Sequence, residues 1–466
     1  MDSATTRAWT ALGATGPASA TGPPLGPVER CGTPGLPARL PVAGLARTCV
    51  TVCALAAAEF HRPGAAVRVD DDTIATAFTS ERHLRVDGRA PTTFAPLSRF
   101  WATSDGWLRT HANYPHHRAR LLASLGVPDT GDEEAAVAAV GAALAGRHGR
   151  EVEEEVQAAG GLAVAVRDRA EWAASPQGAA AATRPLPELT RLDDAVGDEV
   201  PPQPSGLRVL DLTRVIAGPV ATRTLALLGA DVLRVDAPRL PESEGAHADT
   251  GFGKRSTQLD LGRHADRAEF EDLLRQAHVI VTGYRPGALD RFGLAPRELA
   301  ARRPGLVVAR LDAWGTTGPW ADRRGFDSLV QAATGIALVE GDGGRPGALP
   351  AQALDHGTGY LLAAGVLRAL TARRLAAPGS RLIQASLAGT ASWLLDGVPP
   401  DTALDVPREP AEAGRRHRLR QRDSALGLLR YAPSPVRYVG GPDDWPRPPG
   451  PLGADRPVWE AGTPGA

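Results

Sequence analysis

One aspartate is placed where a carboxylate could act as a nucleophile. Asp355 stands directly before the Gly-rich segment 356–359 and an apolar stretch at 358–374 that is typical of a helix. Free N–H groups at a helix N-terminus stabilise a carboxylate and any oxyanion that develops beside it. Such a carboxylate can attack an acyl carbon and hold the acyl group as an anhydride. The alternative is that Asp355 only caps the helix, and both roles can hold at once.

The single lysine of the chain is a second candidate. Lys254 follows the loop 251–253, in which two glycines flank a phenylalanine, and arginine takes the place of lysine everywhere else. A compact ammonium fits where a planar guanidinium does not, so its retention favours a functional or packing role. The alternative is a chance survivor of a coding bias.

Three neighbouring histidines, His111, His116 and His117, raise the question of a metal site. Pro115 interrupts any helix between them, their spacing is not that of helical ligands, and no cysteine or acid joins them closely. We predict no metal here and favour a substrate-facing or structural role.

Bulk composition excludes several classes of protein. A chain of 466 residues can bury a large core in more than one domain, and its net charge of −1 provides no basic field for nucleic acid. No apolar run reaches the length of a membrane span, and residues 1–27 resemble a disordered tail rather than a signal peptide. We therefore expect a cytoplasmic protein with neither a nucleic-acid nor a membrane partner.

The second half of the chain alternates predicted strands with helical stretches, which indicates an α/β fold with a parallel sheet and helices on both faces. It lacks a GxGxxG loop after its first strand, which disfavours dinucleotide binding. A Pro-rich linker is predicted at 201–205 and a mobile connection at 400–425. The predicted strands are 207–212, 231–235, 278–282 and 306–311.

Several segments, taken in order, resemble the family III CoA-transferases, the family that includes formyl-CoA and carnitine CoA-transferases. The resemblance implies a Rossmann-like parallel-sheet large domain with a smaller α+β domain. It also implies coenzyme A, arriving as acyl-CoA substrate, no permanently bound cofactor, a carboxylic acid acceptor and a homodimer. The matching segments are 206–219, 251–261, 279–294, 315–320, 325–331 and 355–359.

The resemblance also implies a set of CoA contacts. Tyr284 would lie against the adenine, and the arginines would bind phosphate oxygens, with a solvated surface role as the alternative for each arginine. Gly283 replaces the asparagine that usually precedes the aromatic residue, so one nucleotide hydrogen bond would be missing. The implied contact residues are Val215, Ile216, Lys254, Tyr284, Arg291, Phe292 and Arg324.

The predicted order of the domains is unusual. Residues 104–118, 161–166 and 171–177 resemble the family's smaller domain, which in ordinary members follows the large one. Residues 45–67 resemble a weak copy of 358–383 that lacks an aspartate where Asp355 would fall. We interpret this as the back half of a degenerate copy fused to the front half of an intact one; the alternative is an independent N-terminal domain. The predicted divisions are a disordered tail (1–40), a small-domain-like region with the degenerate half (41–200), the large α/β domain (206–395), and a linker with a C-terminal extended segment (396–466).

The predicted function is acyl-CoA:carboxylate CoA transfer through aspartyl acyl-anhydride and aspartyl-CoA thioester intermediates at Asp355. A catalytically degenerate CoA-binding or assembly protein is the alternative, motivated by Gly283 and the domain order. A racemase is disfavoured, because the related α-methylacyl-CoA racemases place a histidine base where this chain has Phe326. Phenylalanine cannot move a proton.

Overall fold

The computed structural model describes residues 1–13, 25–33, 35–91, 94–375, 378–400 and 418–460. The helices are α1 Ser3–Ala11, α2 Val42–His61, α3 Asp71–Phe78, α4 Ser80–His83, α5 Pro115–Ser124, α6 Glu133–Ala145, α7 Gly149–Ala158, α8 Arg169–Ala174, α9 Pro176–Ala182, α10 Ala217–Leu227, α11 Glu244–Thr250, α12 His264–Leu274, α13 Pro296–Arg302, α14 Asp327–Ala333, α15 Ile336–Val339, α16 Ala353–Arg374 and α17 Leu387–Asp396. The strands are β1 Val28–Cys31, β2 Val67–Asp70, β3 Arg85–Val86, β4 Phe100–Thr103, β5 Gly106–Thr110, β6 Ala163–Ala165, β7 Glu188–Arg191, β8 Arg208–Leu212, β9 Asp231–Asp236, β10 Arg255–Gln258, β11 Val279–Thr282, β12 Val307–Asp312, β13 Arg381–Ser386, β14 Arg420–Ser424, β15 Gly427–Tyr431 and β16 Arg437–Tyr438.

The large sheet has seven strands in the order β10-β9-β8-β11-β12-β13-β7. Its first six strands run parallel, and only β7 pairs antiparallel, with β13. Helices cover both faces, which is why the central strand β11 is apolar and buried along its whole length. The α/β fold class is confirmed, and each of the four predicted strands lies within one residue of its predicted ends.

Helix α16 begins at Ala353, five residues before the predicted start at 358, because the glycines predicted to form a turn are helical. A Cβ at Gly359 would meet the carbonyl oxygen of Ala217 at 2.5 Å, and one at Gly357 would lie 3.4 Å from Cys49 Sγ. The glycines therefore let α10 and α2 pack closely against the start of α16.

The predicted smaller domain has its own sheet and core within residues 97–165. Strands β4, β5 and β6 form an antiparallel sheet, and helices α5, α6 and α7 cover its apolar side around a separate core that includes Trp101 and Val140. This unit packs against the α/β part of the same chain. Trp107 Nε1 donates to the carbonyl oxygen of Gly344 at 2.9 Å, and Arg323 donates to Glu154 Oε2 at 2.7 Å.

The expectation of a disordered tail over 1–40 is wrong for the part that the structure describes. Residues 3–11 form α1, capped by Asp2, and β1 pairs in parallel with β2. Ala4, Ala8 and Leu12 are four residues apart, so they share one helix face and enter the main core. Residues 14–24 and 34 lie outside the described residues.

Helix α2 also corrects an expectation, because it is long and apolar enough to cross a membrane. Its most apolar stretch is 94% buried inside the protein. It lies in the main core beside α16, so burial by protein accounts for its apolar composition.

The weak copy identified in the sequence packs directly on its counterpart. Helix α2 and strand β2 repeat the order of α16 and β13, with Pro-Gly between helix and strand in each unit. The two helices run parallel: Cys49 contacts Gly357 near their starts, and Glu59 pairs with Arg368 further along.

Near the start of α2 and of α16, a carboxylate accepts a backbone N–H. Aligning the two Pro-Gly pairs places Leu40 opposite Asp355. The N–H of Leu40 donates to Glu340 Oε1 at 2.9 Å, and the N–H of Asp355 donates to Asp327 Oδ2 at 3.0 Å. The N-terminal segment therefore has a similar backbone arrangement, with Leu40 at the position that corresponds to Asp355.

The predicted domain boundaries do not divide the folded core. Strand β7, before the linker, is an edge strand of the large sheet, and α2 fills its core. The C-terminal segment pairs with the N-terminal part, since β16 joins β2 and β15 joins β3. Of the predicted mobile connection, residues 401–417 lie outside the described residues, whereas Arg420–Ser424 is a strand, held in a hairpin with β15.

Candidate functional site

Asp355 lies in the first turn of α16 and is 6% exposed. The residue at the N-cap position is Gln352, so the capping alternative for Asp355 does not hold. Asp327, at the start of α14, accepts the backbone N–H of Asp355 and also a hydrogen bond from Gln331. Gln331 in turn accepts the N–H of Leu349 at 2.9 Å. This chain of hydrogen bonds orients the helix start that carries Asp355.

The surroundings of Asp355 disfavour its ionised form and leave the carboxylate poorly solvated. Burial, and then the negative charges of Asp327 and Glu81, raise the pKa of Asp355 well above its ordinary value. Burial also raises the pKa of Asp327 to about 6 and that of Glu81 to about 7. Within the described ranges no side chain or backbone N–H donates a hydrogen bond to the Asp355 carboxylate. A desolvated carboxylate without donors is a better nucleophile than a hydrated one.

The raised pKa of Asp355 predicts that activity is lost at low pH. The reactive form of Asp355 is the carboxylate, so kcat/KM for acyl-CoA should fall as the pH drops through its raised pKa. Asp327→Asn keeps an oxygen for the Asp355 N–H but removes the negative charge. We expect it to lower the pKa of Asp355 and move the acid limb of the kcat/KM profile to lower pH.

The control for this profile is Glu340→Gln, which changes the carboxylate that accepts the N–H of Leu40 and should leave the acid limb where it is. An acid limb that moves to higher pH in Asp327→Asn would contradict the assignment.

A group of aromatic rings from the small domain covers the segment before Asp327. The ring of His111 stacks on Phe326, with centroids 3.7 Å apart and planes 6° apart. His117 meets the same ring edge-on at 5.9 Å, and Tyr114 lies 6.3 Å away. The small domain therefore forms one wall beside the nucleophile, which the sequence did not predict.

The turn after β8 carries the first two predicted CoA contacts. Val215 has φ of 70°, a left-handed backbone that a β-branched residue rarely adopts. Its N–H donates to Glu242 Oε2 at 2.8 Å, and Glu242 also accepts from Tyr114 Oη at 2.8 Å. Val215 and Ile216 are both half-buried. The strained turn is thus held by a buried glutamate, which is typical of a functional loop.

The remaining predicted contacts fall into two groups. Tyr284 is half-buried and packs against a further hydrophobic cluster of the large domain that includes Phe270 and Leu299. Phe292 lies between two guanidinium groups, Arg291 at 4.6 Å and Arg267 at 5.7 Å from its ring centroid. Arg291 and Arg324 are both exposed, as expected of arginines that bind a solvated phosphate.

Arg324 belongs to a basic cluster that the sequence did not reveal. Burial, and then the positive charges of Arg285 and Arg120, lower the pKa of Arg324. Arg120 comes from the small domain and Arg285 follows Tyr284 directly. Like charges held near one another suit a polyanion, and the phosphates of CoA are such a group. Only the fold could bring Arg120 to this cluster.

Lys254 has a different place from the one predicted. Its side chain is 1% exposed, and its ammonium donates to Asp211 Oδ2 at 2.9 Å and to the carbonyl oxygen of Pro219 at 3.1 Å. Asp211 also accepts from Thr222 at 2.6 Å. Lys254 therefore joins β8 to the start of α10 from inside the protein, and the predicted direct contact with the nucleotide is corrected to a packing role.

Gly283 departs from the resembling pattern without a steric reason. A Cβ at this position would meet Thr213 at 3.5 Å, which is ordinary van der Waals contact. The backbone at Gly283 has room for a side chain, so steric crowding does not explain why glycine stands where the family usually has asparagine.

Among the residues that the structure describes, no cluster of three or more metal-ligating side chains occurs.

The α/β sheet, the buried aspartate at the start of α16 and the basic cluster around Arg324 are the features to set beside known proteins. The sequence profile of CoA-transferase family III matches residues 205–426, and this region belongs to that family. Residues before 205, including the small domain, lie outside the match.

Three relatives illustrate the similarity. The chain is 36% identical over 201 residues to acetyl-coenzyme A transferase nodX of Hypoxylon pulicicidum, covering 42% of this chain and 34% of the relative. It is 35% identical over 185 residues to the probable fatty acyl-CoA transferase Rv3272 of Mycobacterium tuberculosis, covering 36% and 46%. It is 32% identical over 225 residues to the acetyl-CoA:oxalate CoA-transferase of Acetobacter aceti, covering 46% and 57%. The matches thus span between 34% and 57% of the lengths of these relatives.

Proposed function

We propose that this protein transfers coenzyme A from an acyl-CoA to a carboxylic acid, with Asp355 as the nucleophile. The observation that carries the proposal is the Asp355 carboxylate, buried at the start of α16, with its own N–H held by Asp327 and no donor on its oxygens. The family membership of residues 205–426 supports the same reaction class.

The reaction would proceed in balanced steps. An oxygen of Asp355 attacks the thioester carbon, the C–S bond breaks, and CoA leaves as thiolate while an acyl-aspartyl anhydride forms. The thiolate then attacks the aspartyl carbonyl, which releases the donor acid and leaves an aspartyl-CoA thioester. The acceptor carboxylate repeats the sequence in reverse and departs as the new acyl-CoA. Asp355 ends as a free carboxylate, and no proton needs to be transferred.

Each group near Asp355 has a part in this scheme. The N–H groups of Leu354 and Asp355 at the start of α16 donate to Asp327, so they fix the position of the helix start and are not free to bind the oxyanion. Arg324 and Arg285 would bind CoA phosphates from outside the reacting centre. Phe326 cannot act as a base, which disfavours racemisation. The alternative of a degenerate binding protein is opposed by the intact arrangement around Asp355.

Hydroxylamine trapping tests the proposal directly. Incubation with a panel of acyl-CoAs should label Asp355, and mass spectrometry should locate the modified residue. Labelling at another residue, or none with any member of the panel, would contradict the proposed nucleophile.

The basic residues should affect binding more than chemistry. Arg324→Ala, Arg285→Ala and Arg291→Ala are each expected to raise KM for acyl-CoA by roughly 10-fold, on the scale of a lost charged hydrogen bond, with a smaller change in kcat. A phosphate contact is equally strong in the ground and transition states, so it contributes little to kcat.

Arg297→Ala, which removes an exposed arginine of α13, provides the matched control and should leave both constants unchanged. If the three substitutions lower kcat and leave KM constant, the assignment to phosphate binding is wrong. The homodimer and the cytoplasmic location remain proposals from the sequence; light scattering of the purified chain tests the first, and fractionation of the source cells tests the second.

A further inference from the structure

Two histidines of the small domain carry buried ring nitrogens without a partner. His117 is 3% exposed and His111 is 4% exposed. Both ring nitrogens of His117 and the Nδ1 of His111 are shielded from solvent and have no hydrogen bond within the described part of the chain. Buried polar atoms in folded proteins are nearly always hydrogen-bonded. Three such nitrogens in one place therefore point to a group that binds there.

The two imidazoles lie on the wall beside the nucleophile. Both contact Phe326, His111 by stacking and His117 by its edge. Phe326 directly precedes Asp327, which holds the N–H of Asp355. Arg109 lies two residues before His111 and so on the same side of the chain, and its charge acts on Asp327. Through Phe326 and Asp327, the histidines are therefore connected to the helix start that carries Asp355.

The electrostatic environment of these two histidines favours the binding of an anion. Burial, and then Arg109, lower the pKa of His111 to about 3. Burial, then the neighbouring rings of His116 and His111, and then Arg324 and Arg120 lower the pKa of His117 to about 2. Both rings are thus neutral, and each offers one N–H donor. The positive charge near them comes from Arg109, Arg120 and Arg324.

We propose that His117 and His111 bind the carboxylate of the acceptor acid and hold it against Phe326 for attack at Asp355. This assignment rests on the proposed function. It also defines the class of acceptor: an anionic carboxylic acid without an ammonium group. The arginines around the rings attract a second negative charge and repel a positive one. Amino acids and betaines are therefore excluded as acceptors, although their carboxylates are chemically competent.

Equilibrium binding to the full chain tests this inference without requiring turnover. Succinate, butyrate and γ-aminobutyrate share a four-carbon chain and differ in charge. By calorimetry, succinate and butyrate should bind saturably, and γ-aminobutyrate at least 10-fold more weakly than butyrate. His117→Phe should weaken succinate binding at least 10-fold, and His117→Asn, which retains an N–H donor, should recover part of the loss.

His148→Phe, which changes an exposed histidine of the same domain, is the control and should bind succinate as the parent does. Circular dichroism on each variant establishes that it is folded, and His111→Phe provides a second variant should His117→Phe fail to fold. Saturable binding of none of the three acids, equal binding of butyrate and γ-aminobutyrate, or succinate binding unchanged in both phenylalanine variants would each overturn the assignment.

Trapping of the Asp355 adduct separates this inference from the proposed function. If acyl-CoA labels Asp355 in His117→Phe as in the parent while succinate binding is unaffected, the function stands and the acceptor site is wrong. If succinate binding depends on His117 but no acyl-CoA labels Asp355, the carboxylate site stands and the transferase proposal fails.

Discussion

Asp355→Ala is expected to reduce CoA transfer by at least about 10³-fold, because no other group would form the covalent bond to the acyl carbon. Binding of CoA should stay within a few fold of the parent, since the nucleotide contacts lie on other residues. Initial rates of transfer and equilibrium binding of CoA, measured on the same preparation, check both statements.

Asp355→Asn should leave the protein at least as stable as the parent at neutral pH. The folded-state pKa of Asp355 is raised above its ordinary value, so its stabilising contribution exists only at low pH. That contribution is lost as the pH rises through the raised pKa, and above it the ionised carboxylate destabilises the fold. Urea unfolding at pH 7 should therefore give Asp355→Asn a free energy of unfolding equal to or above that of the parent.

Asp355→Asn serves as the shape-conserving control, since it should be as inactive as the alanine variant. Retained activity in both variants, or a loss of activity that follows a loss of folded protein, would contradict the role of Asp355 as nucleophile.

Lys254→Met should cost about 3–5 kcal/mol of unfolding free energy, because it leaves the buried carboxylate of Asp211 without its cation. Asp211 is completely buried, so water cannot replace the ammonium. Lys254→Arg conserves the charge but introduces a larger planar head into a site that is 1% exposed. We expect it to cost about 1–3 kcal/mol through overpacking, with a parallel loss of activity from the displaced start of α10. Urea unfolding measures both effects.

The double variant with Lys254→Met and Asp211→Asn is the control for the ion pair. It removes both charges and should be more stable than Lys254→Met alone, because no unpaired charge stays buried. Arg297→Lys, an exchange in the opposite direction on the surface, should be neutral. If Lys254→Arg unfolds and reacts as the parent does, the single lysine is an accident of composition.

The sequence by itself determined the parallel strands and the nucleophile candidate. The strands are short runs rich in Val, Leu and Ile that alternate with helical stretches, and this alternation is visible in the order of residues alone. Asp355 was recognisable because it stands between a family motif and an apolar helix. The glycines after it were misread as a turn, since glycine serves both turns and close helix packing and only the neighbouring helix distinguishes the two. Residues 3–11 were misread as disordered because three small apolar positions became a helix face only through contact with α2.

The tertiary structure alone decided what surrounds the nucleophile. Asp327, 28 residues before Asp355, accepts its N–H and raises the pKa of its carboxyl group. Glu81, in the N-terminal half of the chain, also raises that pKa. The charge of Arg120 lowers the pKa of Arg324, and the ring of His111 stacks on Phe326. In both pairs the two residues lie on opposite sides of the linker in the sequence. Electrostatic and hydrogen-bonding partners are set by distance in space, and a burial-dependent pKa has no counterpart in sequence spacing. For the same reason Lys254 was correctly singled out by its rarity, while its buried partner Asp211, 43 residues away, could be identified only from the fold.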